Sequence, residues 1–429
     1  YSARLIDESD RILRLKTYLY DADIKPVSFE NVVVDLAVRN RDVWTLSPEL
    51  SVSRSGVENR TKIGIEDSNL LGLGQFLTVA RIEDVDRTEK YFVFADPHLG
   101  RSWVSASLTI ADNSDGKLNR LTAHRPFYAL DTRWSAGMTL FENERREALY
   151  RSGDEAAEYR HERDYLSAFR GWSRGLQNGW VRRYTVGAVY DDNRYSPVPN
   201  PSLPQAVPED RKLVYPFVGI EVLEDDYETS ANRDQIGQTE DFYFGSRLSA
   251  SLGWASESFG ADRDALVIAA QANRGFGSLQ KNALLLSAGL DGRLESGDAR
   301  NVRLTASARY YRVQSAKRLF FTTLSAAVGN DLDLDSPVQI GGNSGLRGYP
   351  LRYRSGDSKM LLTLEQRYFT DWYPFRLFRV GAAVFADAGR VWGENRVGPE
   401  QSSWLTDVGI GLRFAPTRSS SGKMIHVDF

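Results

Sequence analysis

From about Leu50 to its last residue the chain repeats short segments in which every second residue is apolar and those between are small or polar. Arg247–Trp254 is the clearest: Leu248, Ala250, Leu252 and Trp254 share one face, and Arg247, Ser249, Ser251 and Gly253 the other. Successive side chains of a strand point to opposite sides, so each segment belongs to a sheet with one oily and one wet face. Ser102–Ile110 obeys the same rule, with Val104, Ala106, Leu108 and Ile110 alternating with Ser105, Ser107 and Thr109. A bilayer tolerates no unpaired backbone edge. A two-faced sheet repeated this often, with no helices between, is therefore expected to close into an all-β, transmembrane antiparallel β-barrel. A soluble β-sandwich would alternate as well, but the number of segments and the small or charged residues of the wet face favour the barrel.

Composition narrows the choice. Mean hydropathy is −0.41 over 429 residues, and no apolar run approaches the roughly 18 residues of a spanning helix. Half of every barrel strand is polar, so hydropathy averages hide such proteins. A formal charge of −3 gives no basic excess, and nucleic-acid binding is not expected. Aromatic residues make up 11%, and Tyr and Trp are the residues that sit at membrane interfaces. There is no cysteine, which excludes a disulfide framework and a thiolate metal site. The chain opens at Tyr1 without a signal peptide, so it is read as a mature or trimmed piece.

Residues 1–46 differ from the rest. Asp7–Tyr20 carries Ile12, Leu15 and Leu19 at helical spacing after Ser9, a candidate cap. A short strand around Ile24–Ser28 and a second at Val32–Val38 complete a small α+β module that lacks its own beginning; the alternative is a decorated plug. The barrel is placed at residues 47–429, with nineteen alternating segments from Leu50–Ser55 to Met424–Phe429. Among them, Thr132–Phe141, Arg160–Phe169 and Phe242–Trp254 are expected as single strands. The charged stretch Glu142–Glu158 and the Pro-rich Asn193–Asp210 are expected as long loops, and Gly171–Gly179 and Gln314–Lys317 as shorter turns.

The most specific string is Gly341–Pro350, GGNSGLRGYP. Its Arg347-Gly348-Tyr349 resembles the (V/I)RG(F/Y) motif of the BamA/TamA outer-membrane superfamily, the bacterial surface antigen barrels. Asn69–Gly74, Asp96-Pro97-His98-Leu99-Gly100 and Phe385-Ala386-Asp387-Ala388-Gly389 resemble it in the same order. The resemblance implies that the N-terminal module is the tail of a POTRA domain, the family's periplasmic docking unit. It also implies that the motif loop folds back into the lumen, where Arg347 meets acidic residues, with Glu365 and Asp387 as candidates. Parity turns both carboxylates inward independently. Met360, Leu362 and Leu364 would face lipid on one strand, and Val380, Ala382 and Val384 on another. Two departures stand out: Leu346 replaces the usual β-branched residue, and nineteen segments exceed the family's sixteen strands.

Enzyme signals are weak. Leu346 occupies the position where a nucleophile elbow around Ser344 needs its second glycine. His98, His124, His161 and His426 show no ligand spacing, and Asp225-Asp226 reads as a solvated turn. No catalytic residue, metal or cofactor is expected. The resemblance implies a non-enzymatic protein of the bacterial outer membrane, in contact with its lipids. It would insert or translocate client proteins and meet periplasmic proteins through the POTRA module. A weakly paired seam between Leu50–Ser55 and Met424–Phe429, or whatever strand follows, would offer edge hydrogen bonds to a client. The alternatives are a transport pore or lipid conduit, and a barrel that anchors an enzyme domain outside this chain.

Overall fold

In a computed structural model of the chain, every residue is described except 1, 31–32, 56–57, 200–202, 396, 399–401 and 420–423. Helix α1 (Ala3–Arg14) and strands β1 (Leu19–Glu30) and β2 (Val33–Asp42) come first. The large sheet begins with β3 (Leu46–Ser55), β4 (Glu58–Leu70), β5 (Gln75–Glu83), β6 (Thr88–Asp96) and β7 (Ser105–Asn113). It continues through β8 (Gly116–Arg125), β9 (Trp134–Arg151), β10 (Asp154–Gln177), β11 (Trp180–Pro197) and β12 (Arg211–Glu224). A separate hairpin, β13 (Tyr227–Ala231) and β14 (Thr239–Tyr243), precedes β15 (Arg247–Ala255), β16 (Ala265–Gly277), β17 (Asn282–Glu295), β18 (Asp298–Ser315) and β19 (Arg318–Asn330). A long loop then carries the short β20 (Val338–Ile340) and β21 (Arg354–Gly356). The sheet ends with β22 (Ser358–Phe369), β23 (Phe378–Trp392), β24 (Leu405–Pro416) and β25 (Ile425–Asp428).

Nineteen of these strands form one sheet, each antiparallel to the next, curled until β25 comes beside β3. Antiparallel neighbours alternate in direction, so an odd number leaves the two edge strands running the same way. No ladder joins them among the described residues. The seam carries one isolated parallel bridge, Trp44↔Ser419, with the Trp44 N–H donating to the Arg418 carbonyl at 2.7 Å. Among the described residues the expected closure is therefore made by that bridge and not by a ladder, and the strand number exceeds sixteen.

The outer face is the apolar face read from the sequence. Leu248, Leu252 and Trp254 on β15 are exposed, as are Val408, Ile410 and Leu412 on β24. Exposed apolar rows on a sheet whose interior is polar fit a lipid-facing wall. The nine tryptophans lie in the turns or toward the strand ends. Trp44, Trp103, Trp134, Trp172, Trp180 and Trp372 stand at the end where α1 sits, here termed proximal, and Trp254, Trp392 and Trp404 at the distal end. Two girdles of this kind mark the two interfaces of a bilayer. Leu252→Arg is expected to cost about 2–4 kcal/mol, lowering the heat-unfolding midpoint in a gel-shift assay, whereas Ser251→Arg one residue away should leave it nearly unchanged.

Several local expectations are corrected. The helix begins at Ala3 after Ser2 and ends at Arg14; Ser9 is no cap, since its hydroxyl donates back to the Leu5 carbonyl within the helix at 2.7 Å. β1 and β2 extend beyond Ile24–Ser28 and Val32–Val38, of which Val32 lies outside the described residues. One helix and a two-stranded ribbon precede the sheet, and no POTRA module is evident among the described residues.

Glu142–Glu158 is strand rather than loop. β9 and β10, 18 and 24 residues long, exceed the roughly 9–11 needed to span and rise together past the bilayer to a Ser152-Gly153 turn with φ of 55° and 90°. Charges facing across the strands suit a ladder in water: Glu144 pairs with Arg160, and Glu142 with Lys117 at 2.6 Å. At the other end β10 runs on to Gln177, and Asn178-Gly179 makes the turn with φ of 52° and 81°, as a two-residue hairpin requires. Phe242–Trp254 is two strands, not one. The break falls where Phe244 and Gly245 donate their N–H groups to the Asp226 carbonyl at 2.9 and 3.1 Å.

Candidate functional site

The loop between β19 and β22 folds into the lumen, held along its length. At its base Asp333 takes two hydrogen bonds from Arg293, at 2.9 and 3.0 Å, and one from Arg211 at 2.8 Å. Asp335 accepts from Tyr195 at 2.5 Å. Further along, Arg303 donates to the Ser336 carbonyl at 2.7 Å and Lys359 to that of Gln339 at 2.9 Å. Arg352 reaches the β5–β6 turn at Asp86. Beneath the tip, Ile340 and Leu346 are buried with Val391 and Leu405.

The tip is the Arg347-Gly348-Tyr349 string. Arg347 Nε lies 3.3 Å from Asp387 Oδ2 and its Nη1 3.8 Å from Glu365 Oε1, with the guanidinium carbon 3.8 Å from the centre of the Phe385 ring. The Gly348 N–H donates to Asp407 Oδ2 at 2.9 Å, and the Tyr349 hydroxyl to the Thr406 carbonyl at 3.2 Å. The structure thus brings all five sequence-nominated residues to one place. It adds Asp428 on β25, 3.1 Å from Arg347 Nη1, together with Arg413 and Arg367, each 2.9 Å from Glu365. Arg413 also pairs with Asp428. Parity could have found these residues. With Val408, Ile410 and Leu412 facing out, Asp407 and Arg413 must face in; with Ile425 and Val427 out, so must Asp428.

The consequence is electrostatic. Asp387 has 1% of its side chain exposed, and among the described residues neither of its oxygens has a partner at full hydrogen-bond geometry. Arg347 is its cationic neighbour, whereas Glu365 and Asp428 also hold Arg413. A planar guanidinium against several carboxylates and an aromatic face is a strong, directional pin.

Leu346 has a structural reason. Its φ is +66°, a region in which β-branched side chains are genuine outliers, and it is fully buried. Gly345 before it has φ +103°, and a Cβ there would stand 2.1 Å from Leu361 Cδ2. Leu346→Val is expected to lower barrel stability by about 1–3 kcal/mol, read as an earlier heat-unfolding midpoint, from strain and lost packing.

Among the described residues one serine hydroxyl lies against a histidine ring: Ser105 Oγ is 3.1 and 3.3 Å from the two ring nitrogens of His124. Both residues face the lumen, and no carboxylate is hydrogen-bonded to that ring among the described residues, so it lacks the third group that orients a catalytic base. His98 lies in a turn where Asp96 accepts its N–H at 2.8 Å. Among the described residues no group of three His, Cys, Asp or Glu side chains could hold a metal.

An antiparallel sheet curled into a cylinder, oily outside and polar within, with an arginine-tipped loop drawn back into its lumen, defines an outer-membrane-type barrel with an internal pinned loop. The model of the Omp85 superfamily domain matches residues 69–417, and the chain belongs to that superfamily. Solved structures similar to it include BamA from Haemophilus ducreyi lacking POTRA domains 1–3 (TM-score 0.40, 10% identity), covering 94% of this chain and 78% of that one. CdiB from Escherichia coli (0.45, 13%) covers 96% and 63%, and CdiB from Acinetobacter baumannii (0.39, 10%) covers 95% and 65%. The chain therefore spans less than two thirds of either CdiB structure. Among curated proteins none matches by sequence.

Proposed function

We propose that this Omp85-superfamily barrel acts without enzymatic chemistry in inserting or translocating proteins at the bacterial outer membrane. The proximal end then faces the periplasm. There α1, β1 and β2, read as the end of a POTRA-type module, meet periplasmic or client proteins, while the exposed apolar rows meet outer-membrane lipids. The observation that carries this reading is that no ladder joins β3 to β25 among the described residues. A free strand edge presents a row of unpaired N–H and C=O groups, a template for an incoming strand. Among the described residues β25 pairs with β24 from Gly411↔Asp428 to Phe414↔Ile425, and Ile410 and Phe429 exchange hydrogen bonds beyond that. Arg347 and Arg413 both hold Asp428 on this strand, so the lumen loop steadies one lip of the seam. Transport pores and lipid conduits make the opposite prediction in one experiment. Liposomes carrying the chain should speed folding of an added, urea-unfolded outer-membrane barrel while conducting ions poorly. Large steady conductance with no effect on client folding would overturn the reading.

A further inference from the structure

The proximal mouth is covered by two pieces that the insertion chemistry does not use, one from each side. The first is the β13–β14 hairpin, which grows between β12 and β15 and crosses beneath the lumen to the far wall. Phe242 and Phe244, at its end, are buried with Leu285, Tyr311, Leu319 and Phe321 of the inner wall. At its tip Asp234 accepts from the Tyr311 hydroxyl at 3.1 and 3.0 Å, and Arg367 donates to the Arg233 carbonyl at 2.5 Å. Ile236 is buried and would be met by a Cβ at Gly381 on β23. The tip is itself tied together: Glu240 accepts the N–H groups of Arg233, Asp234 and Gln235 at 2.9, 2.9 and 3.0 Å. The hairpin is anchored to the wall by a greasy cluster and a rigid tip.

The second piece is the N-terminal module, and it lies over the rest of the opening. Glu8 accepts the Leu130 N–H at 2.7 Å, and Arg4 pairs with Asp131 at 2.5 Å, both in the β8–β9 connection. Lys16 Nζ is 3.0 Å from His98 in the β6–β7 connection. Arg41 reaches the Thr417 carbonyl at 3.3 Å. Where module and hairpin meet, the named contacts are polar. Arg14 grips Asp241 with two hydrogen bonds at 2.8 and 2.6 Å, and the two side chains are only 10% and 15% exposed. The Tyr20 hydroxyl donates to the Gly237 carbonyl at 3.1 Å, Thr239 to Asp21 at 3.1 Å, and Gln238 to the Tyr20 carbonyl at 2.9 Å.

We propose that the β13–β14 hairpin is a fixed seat and the N-terminal module a lid, latched by the Arg14–Asp241 pair, so that unlatching opens the proximal mouth. The asymmetry of the contacts supports this. An apolar cluster, which water does not compete for, backs the polar contacts that hold the hairpin to the wall, whereas the joint to the lid is made of hydrogen bonds and an ion pair that water can satisfy once they part, with Arg11 lying over the Tyr227 ring at 3.6 Å beside them. The bidentate arginine is the strong member of that joint: losing Arg14 leaves the largely buried Asp241 carboxylate without its cation, whereas losing Asp241 leaves Arg14 with Asp10 at 3.1 Å on its own helix.

The test is conductance of the full chain in planar bilayers. Arg14→Ala and Asp241→Ala should each raise the open fraction at least tenfold, and the exchanged pair Arg14→Asp with Asp241→Arg should bring it back toward the parent. Because the chain has no cysteine, Asp21→Cys with Thr239→Cys can tie lid to seat in the Arg14→Ala background. The oxidised form should then be closed and the reduced form open, within one folded preparation. Equal conductance before and after reduction would overturn the latch, as would single variants that stay closed. These readouts need no client protein, so they stand or fall apart from the insertion activity.

Discussion

Replacing Arg347 with alanine is expected to unfold the barrel at a clearly lower temperature, by an amount worth about 3–5 kcal/mol, the usual cost of removing one partner of a buried ion pair. The reason is specific to Asp387. Glu365 and Asp428 would still have Arg413, but among the described residues the ion pair that Asp387 makes is the one with Arg347. Asp387→Asn should therefore rescue much of the loss in the double variant, because it removes the charge left unmatched. Arg347→Lys should fall between, keeping the charge but losing the planar guanidinium that lies on Phe385. Heat-modifiability on gels reads all four proteins. An Arg347→Ala protein with the parent's midpoint would show that the loop is not held by this cluster, and an unrescued double variant would show that the cost is packing rather than charge.

The second large effect is expected at the seam. Cysteines at Trp44 and Ser419, the partners of its single bridge, should form a disulfide that holds the lips together at the proximal end. The oxidised protein is expected to lose at least tenfold in the rate of client folding, and dithiothreitol should restore it. A pair placed inside an existing ladder, Ser251→Cys with Ala269→Cys on facing positions of β15 and β16, serves as the control and should leave the rate alone. Full activity in the oxidised seam variant would mean that clients do not pass through these edges.

What the sequence could reveal followed from how each feature is stabilised. Strands whose outer face meets lipid must alternate cleanly, so segments such as Arg247–Trp254 were readable directly. The inward partners of the motif arginine follow from the same parity, and Asp428 is hidden on a strand whose pattern is dominated by its apolar row, Ile425, Val427 and Phe429. The charged tops of β9 and β10 looked like loop because the usual signal is an apolar face. There the strands are held by ladder hydrogen bonds and facing ion pairs such as Arg160–Glu144. The β13–β14 hairpin left almost no signal. Tyr227–Ala231 reads YETSA, and the apolar surface that receives its neighbours Phe242 and Phe244 is supplied by residues as distant in sequence as Phe321. Tertiary partners far along the chain decide such elements, and no local pattern encodes them.

The direction in which the two edge strands run limits what can fill the gap between them. A single guest strand laid antiparallel to β25 would also be antiparallel to β3, and would restore strict alternation around the whole circumference. A guest hairpin could not, since one of its two arms would have to lie parallel to an edge, a slightly less stable arrangement per residue. The gap that residues 1–429 leave is thus filled in strict alternation by one strand, or an odd number of strands, whichever chain supplies it.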